Sequence, residues 1–142
     1  AAWRFEAARR RDGRSGPTAP RGSTLSGMTV DLFAGLSVRD FAAAAVWYER
    51  LLGGPPSFLP NDTEAVWELA ENRYVYIEVR PEHAGHGLVT VFLSDFDERL
   101  AEVAARGLEP DVRETYGNGV RKAVFRDPDG NEIGFGGGPA SD

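Results

Sequence analysis

From residue 30 onward the chain switches between runs of period two and runs of period near 3.6, and it does so twice. Residues 30–38 place Val30, Leu32, Ala34, Leu36 and Val38 on alternate positions, the pattern of a half-buried strand. Asp40-Phe41 then opens a helix in which Phe41, Ala44, Ala45, Tyr48 and Leu52 share one face, and Gly53-Gly54 closes it. Three short strands follow, near residues 57–60, 65–70 and 73–80, with Glu71-Asn72 turning the last hairpin. A strand at 87–93 leads next to Asp95-Phe96 and a helix whose face is Phe96, Leu100, Val103 and Ala104, ending at Gly107. Strands near 110–114, 120–126 and 131–135 complete the second set. Asp127-Pro128-Asp129-Gly130 makes the final hairpin turn, where proline presets φ and glycine accepts a positive one.

The order strand-helix-strand-strand-strand thus recurs with a period of about 55 residues, which suits duplicated half-domains. The closing strands agree, since Ile77 and Val79 fall 56 positions before Ile133 and Phe135. Asp40 and Asp95 are candidate helix N-caps, and Glu98 three residues after Asp95 suggests a capping box. The predicted fold is α+β, with tandem βαβββ modules at about 30–80 and 86–136 inside a domain of residues 28–142. A module alone leaves one sheet face uncovered, so the two must share a cavity or pair with another chain.

Residues 1–27 break the pattern and turn rich in Gly, Pro, Ser and Arg, which reads as a disordered leader or upstream extension before Met28. They carry six Arg against Glu6 and Asp12, a net +4. The overall −6 therefore hides a domain of −10, with ten Lys and Arg against twenty Asp and Glu. So acidic a body repels phosphate backbones, and nucleic acid is not an expected partner. No membrane partner is expected either: the longest apolar run, residues 41–48, is far too short to cross a bilayer. With no cysteine, disulfides and thiolate chemistry are excluded. Fifteen Arg to one Lys and eighteen Ala suggest a GC-rich, bacterial genome, and the expected location is cytoplasmic.

The opening, Asp40-Phe41 through Trp47-Tyr48 to Leu51-Leu52-Gly53, and the ending, Asp127-Pro128-Asp129-Gly130-Asn131-x-Ile133, together resemble the vicinal oxygen chelate superfamily. That group includes glyoxalase I, extradiol dioxygenases, fosfomycin-modifying enzymes and bleomycin-resistance proteins. The resemblance covers nearly all of residues 30–136. It implies mixed four-stranded sheets curled into a half-barrel around a concave cavity, usually completed in a homodimer. It also implies divalent-metal ligands on strands one, four, five and eight. Placed by their distance from the matching motifs, these positions hold Phe33, Glu78, Leu88 and Gly134. Three of these side chains offer a metal no donor atom. Asp31, His86 and Glu132 each stand two residues before a ligand position, but two residues along a strand is about 6–7 Å.

The histidines, His83 and His86, fall in the link between the modules, where solvent exposure competes with a role as ligand or base beside Glu78. No serine has the setting of a nucleophile, and Gly136-Gly137-Gly138 reads as a frayed tail. The candidate binding residues are Phe33, Trp67, Tyr74, Tyr76 and Phe92 with Tyr116, lining a mostly apolar cavity with Glu78 and Thr90 as polar points. Three functions stay open. The first is a metal-independent binder of an aromatic or cationic small molecule, with no cofactor. The second is a metal-dependent lyase or dioxygenase with atypical ligands, Glu78 and His86 among them. The third is a dimeric assembly or regulatory module whose cavity its partner fills.

Overall fold

The computed structural model describes residues 29–140, so the expectation for residues 1–27 falls outside it. The first sheet comprises β1 (Leu32–Val38), β2 (Phe58–Asn61), β3 (Glu64–Ala70) and β4 (Arg73–Val79), in the order β1-β4-β3-β2. The second comprises β5 (Leu88–Leu93), β6 (Val112–Thr115), β7 (Arg121–Arg126) and β8 (Glu132–Gly137), in the equivalent order β5-β8-β7-β6. Helix α1 (Phe41–Leu52) follows β1, and α2 (Phe96–Ala105) follows β5. In each sheet the first and last strands of the module run parallel, and the remaining pairs are antiparallel. The architecture is the expected α+β one, two mixed four-stranded sheets that do not close into barrels.

Each helix covers one face of its sheet, and the alternation along the strands decides which residues that face receives. Leu36, Val38, Ala65, Trp67, Val75 and Ile77 pack under α1, which contributes Ala44, Tyr48 and Leu51. Val103 of α2 joins Ala123, Phe125, Ile133 and Phe135, and all of these belong to one continuous buried cluster with the first set. The Asp40 side chain accepts from the Ala43 amide at 3.0 Å, satisfying a free donor of the first turn of α1. Asp95 does not cap its helix; its carboxylate takes Arg99 Nε at 3.2 Å instead, so the expected capping box is absent. Gly136 and Gly137 are not a tail either. They complete β8 opposite Phe92 and Leu93, and a Cβ on Gly137 would collide with the Phe96 side chain.

The modules are joined by a buried polar knot at the Asp127–Asn131 turn. Asp127 Oδ1 accepts from the amides of Asp129 and Asn131, both at 2.9 Å. Its Oδ2 accepts from Tyr48 Oη and Asn131 Nδ2, both at 2.8 Å. Asn131 Nδ2 also donates to the Ser37 carbonyl at 2.8 Å, and its Oδ1 accepts the Gly87 amide at 2.7 Å. One side chain thus ties β1, the inter-module link and the final turn together. Burial first, and then the Asp127 charge, push the Tyr48 phenol far above its usual range.

That shift has a defined sign. The folded-state value lies above the unfolded one, so this contribution is complete below about pH 10 and declines as pH rises beyond it. In an ultraviolet titration Tyr48 is expected to ionise only when the chain unfolds. Tyr48→Phe is expected to flatten the alkaline fall in stability by up to about 1.4 kcal/mol per pH unit. An unchanged slope would show that another group sets it.

Candidate functional site

Because side chains alternate across a strand, each sheet presents to the side away from its helix a second set of residues. On the first sheet this helix-free face carries Phe33, Gly35 and Ser37 of β1, then Tyr74, Tyr76 and Glu78 beside them on β4. Glu64, Val66 and Glu68 of β3 stand opposite Glu78, Tyr76 and Tyr74. Phe33 and Tyr74 stack with ring centroids 4.3 Å apart and planes 6° from parallel. The Tyr76 ring lies across Gly35, in space that any Cβ there would occupy. A glycine directly beside an aromatic residue is therefore what lets the ring lie flat along the sheet. The result is an aromatic patch edged by carboxylates, in which Tyr74 and Val66 are buried and so is Glu64, which accepts from Asn61 Nδ2 at 2.9 Å.

The helix-free face of the second sheet has a different composition. It carries Leu88, Thr90 and Phe92 of β5, Glu132, Gly134 and Gly136 of β8, and Lys122, Val124 and Arg126 of β7. Leu88 and Phe92 are 70% and 65% exposed. The Phe92 ring rests against Gly136, where a Cβ would come within 3.1 Å of it. Arg126 pairs with Glu132 at 3.5 Å. Tyr116, just beyond β6, donates its hydroxyl to Glu114 Oε2 at 2.5 Å, and that bond to a carboxylate holds its phenol above the usual range.

Six of the eight residues expected to line a cavity therefore do lie on helix-free faces: Phe33, Tyr74, Tyr76 and Glu78 on one sheet, Thr90 and Phe92 on the other. Tyr116 is exposed just beyond the end of β6. Trp67 is elsewhere. It is buried on the opposite face of β3, its ring 5.9 Å from that of Tyr48, with Nε1 donating to the Gly54 carbonyl at 3.0 Å. Its neighbours Val66 and Glu68 take the outward positions, because the β3–β4 register pairs Trp67 with Val75 of the core. The run Glu64, Val66, Glu68 against Ala65, Trp67, Leu69 held the signal: the polar set belongs away from the helix. The same alternation in β7 places Lys122 and Arg126 outward and Ala123 and Phe125 inward.

The four positions at which the resemblance implies metal ligands all fall on helix-free faces, which supports their alignment. Their occupants do not fit a divalent metal. Phe33 is stacked on Tyr74, Leu88 is apolar, Gly134 has no side chain, and Glu78 alone has oxygen donors. Among the described residues no three or more His, Asp or Glu side chains gather in a way that would hold a metal ion. His83 and His86 are exposed in the link between the modules, His83 Nε2 lying 3.9 Å from Glu82.

Residues 29–135 match the family model of the Glyoxalase/Bleomycin resistance protein/Dioxygenase superfamily. A glyoxalase / bleomycin resistance protein from Catenulispora acidiphila DSM 44928, known from its crystal structure, is 52% identical with a TM-score of 0.76. The match covers 78% of this chain and 100% of that one. A bleomycin-binding protein complexed with bleomycin is 22% identical, with a TM-score of 0.63 over 77% of this chain and 98% of that one. A lactoylglutathione lyase from Agrobacterium tumefaciens is 18% identical, with a TM-score of 0.63 over 78% and 95%. These two likenesses extend to the fold alone. No curated protein matches the chain.

Proposed function

Since the chain belongs to the Glyoxalase/Bleomycin resistance protein/Dioxygenase superfamily, we propose that it is a metal-independent small-molecule-binding protein of the glyoxalase/bleomycin-resistance type. Its ligand is an aromatic or cationic compound taken up on the helix-free sheet faces. The observation that carries this reading is the flat Phe33–Tyr74 stack on the same face as Glu78. Stacked rings offer a large, rigid apolar contact, and an aromatic face with a nearby carboxylate attracts a cation from two directions. A bound compound seen in one structural relative, bleomycin, gives the fold a precedent for such a role.

The same reading includes a homodimer. That part of the reading rests on the half-barrel that the family resemblance implies, which a second copy usually completes. It also sets the protein in a bacterium, on the arginine- and alanine-rich composition, and takes the cytoplasm as its location. Among the described residues no helix is long and apolar enough to cross a membrane.

The test is calorimetric binding to the full chain of 2-naphthylmethylammonium and its neutral counterpart 2-naphthylmethanol. Glu78→Gln is expected to weaken the cation about fivefold or more and to leave the alcohol within about twofold. Equal losses for both compounds would remove Glu78 from the site. If neither binds and sedimentation shows a tight dimer, the faces are filled by the partner and the protein is an assembly module.

A further inference from the structure

The second sheet carries a feature that the aromatic face does not explain. Lys122 is the only lysine in the chain. Its register partner on β8 is Gly136, while Thr90 on β5 is the partner of Gly134. The lysine stem crosses diagonally over Gly134. A Cβ on that glycine would stand 2.7 Å from Lys122 Cε, 3.7 Å from Nζ and 3.4 Å from Thr90 Oγ1. Any other residue at position 134 would push the lysine aside, so the glycine is what leaves the ammonium and the threonine hydroxyl bordering the same space.

Neither side chain is engaged. No hydrogen bond or ion pair joins Lys122 or Thr90 to a described residue through its side chain. The two carboxylates on this face have other partners. Glu114, the register partner of Lys122 on β6, accepts from Tyr116 Oη, and Glu132 pairs with Arg126. A half-buried cation and a hydroxyl that both border the space over Gly134, with no ion pair formed to the ammonium, form a place for an oxyanion. Along β5 the apolar side chains of Leu88 and Phe92 flank Thr90, each about 6–7 Å away, a spacing that admits a ring.

Building on the small-molecule reading above, we propose that this face binds the carboxylate of a planar organic acid, held between Lys122 Nζ and Thr90 Oγ1. The apolar body of the acid lies on Phe92 and Leu88. The second sheet thereby selects for anionic groups, where the first, with Glu64, Glu68 and Glu78, selects against them.

Calorimetry of the full chain with 2-naphthoate and with uncharged 2-naphthamide tests this. The acid is expected to bind at least about tenfold more tightly than the amide, the scale of a hydrogen bond to a charged group. Lys122→Met is expected to abolish that preference while leaving amide affinity within about twofold. Thr90→Val, nearly isosteric, is expected to cost the acid about threefold and the amide nothing. A direct readout on the native chain accompanies these. Acetylation of Lys122 by an activated ester, located by peptide mass, is expected to slow at least about fivefold with saturating naphthoate and not with naphthamide.

Equal affinity for acid and amide overturns the carboxylate site and leaves the small-molecule reading standing. Binding of neither overturns the site. If the ammonium and alcohol probes also fail, the wider reading falls with it. Should Lys122→Met not fold, unprotected acetylation in the native chain overturns the proposal, and protection by the acid alone upholds it.

Discussion

Asn131→Leu is expected to destabilise the protein by about 4 kcal/mol, read as a fall in the denaturant midpoint with little change in slope. Asn131 is fully buried and makes three side-chain hydrogen bonds: to the Ser37 carbonyl, the Gly87 amide and Asp127. Leucine keeps the branching but leaves the Ser37 carbonyl and the Gly87 amide without a partner and takes one of the donors from Asp127, and an orphaned buried polar group costs about 1–3 kcal/mol. Against a total stability of about 5–15 kcal/mol, such a loss leaves the variant marginal. Asn131→Asp separates hydrogen bonding from shape. It keeps an acceptor for Gly87, but it removes both donors and sets a second carboxylate against Asp127. It is therefore expected to fare no better than leucine. A mild effect from either change would mean that the turn does not hold the modules together.

Gly85→Ala is expected to lower the melting temperature by about 10 °C, corresponding to about 3 kcal/mol for a domain of this size. Gly85 sits in the inter-module link at φ +90°, and a Cβ there would stand 2.5 Å from the Asp129 carbonyl oxygen. The positive φ alone costs an L-residue about 1–2 kcal/mol, and relieving the clash means moving backbone, at about another 1–3 kcal/mol. Gly117→Ala is the control. A Cβ there meets nothing within 4 Å, so its expected effect is within about 1 kcal/mol. Equal melting temperatures for the two variants would show that the link tolerates displacement from the final turn. The Asn131 and Gly85 variants act at the same junction, so their effects are expected to combine less than additively.

Most of the fold was legible in the chain because its determinants are local. The strands and helices appear within a few residues of the expected places, and the duplication appears as the same sheet order twice. Asp40 caps α1 as its position implies, since a cap needs only the next three residues. Asp95 fails for an equally local reason: Arg99, one helical turn on, competes for its carboxylate. The tail assigned to Gly136 and Gly137 was a misreading of composition. Glycines that look like a frayed end are the residues that let Phe92 and Phe96 approach the backbone of a paired strand.

The composition of the helix-free faces was legible only by halves. Phe33, Tyr74, Tyr76, Glu78, Thr90 and Phe92 were placed on those faces because matching motifs fixed their parity on strands β1, β4, β5 and β8. Trp67 was misplaced because β3 has no such motif, and a slip of one residue exchanges the two faces of a strand. Glu64 and Glu68 were not placed on that face for the same reason, since they share the parity that Trp67 lacks.

Sequence periodicity alone determined the two βαβββ units, the helix faces and the tight final turn, because these depend on side-chain spacing along a single element. Three things waited on the tertiary structure. The strand register sent Trp67 under the helix and Glu64 outward. The buried Asp127–Asn131–Tyr48 knot joined residues up to 94 positions apart. The missing side chain of Gly134 left Lys122 and Thr90 bordering the same space. Each is a contact between strands or modules that are neighbours in space and distant in sequence, and no local pattern encodes which groups will meet.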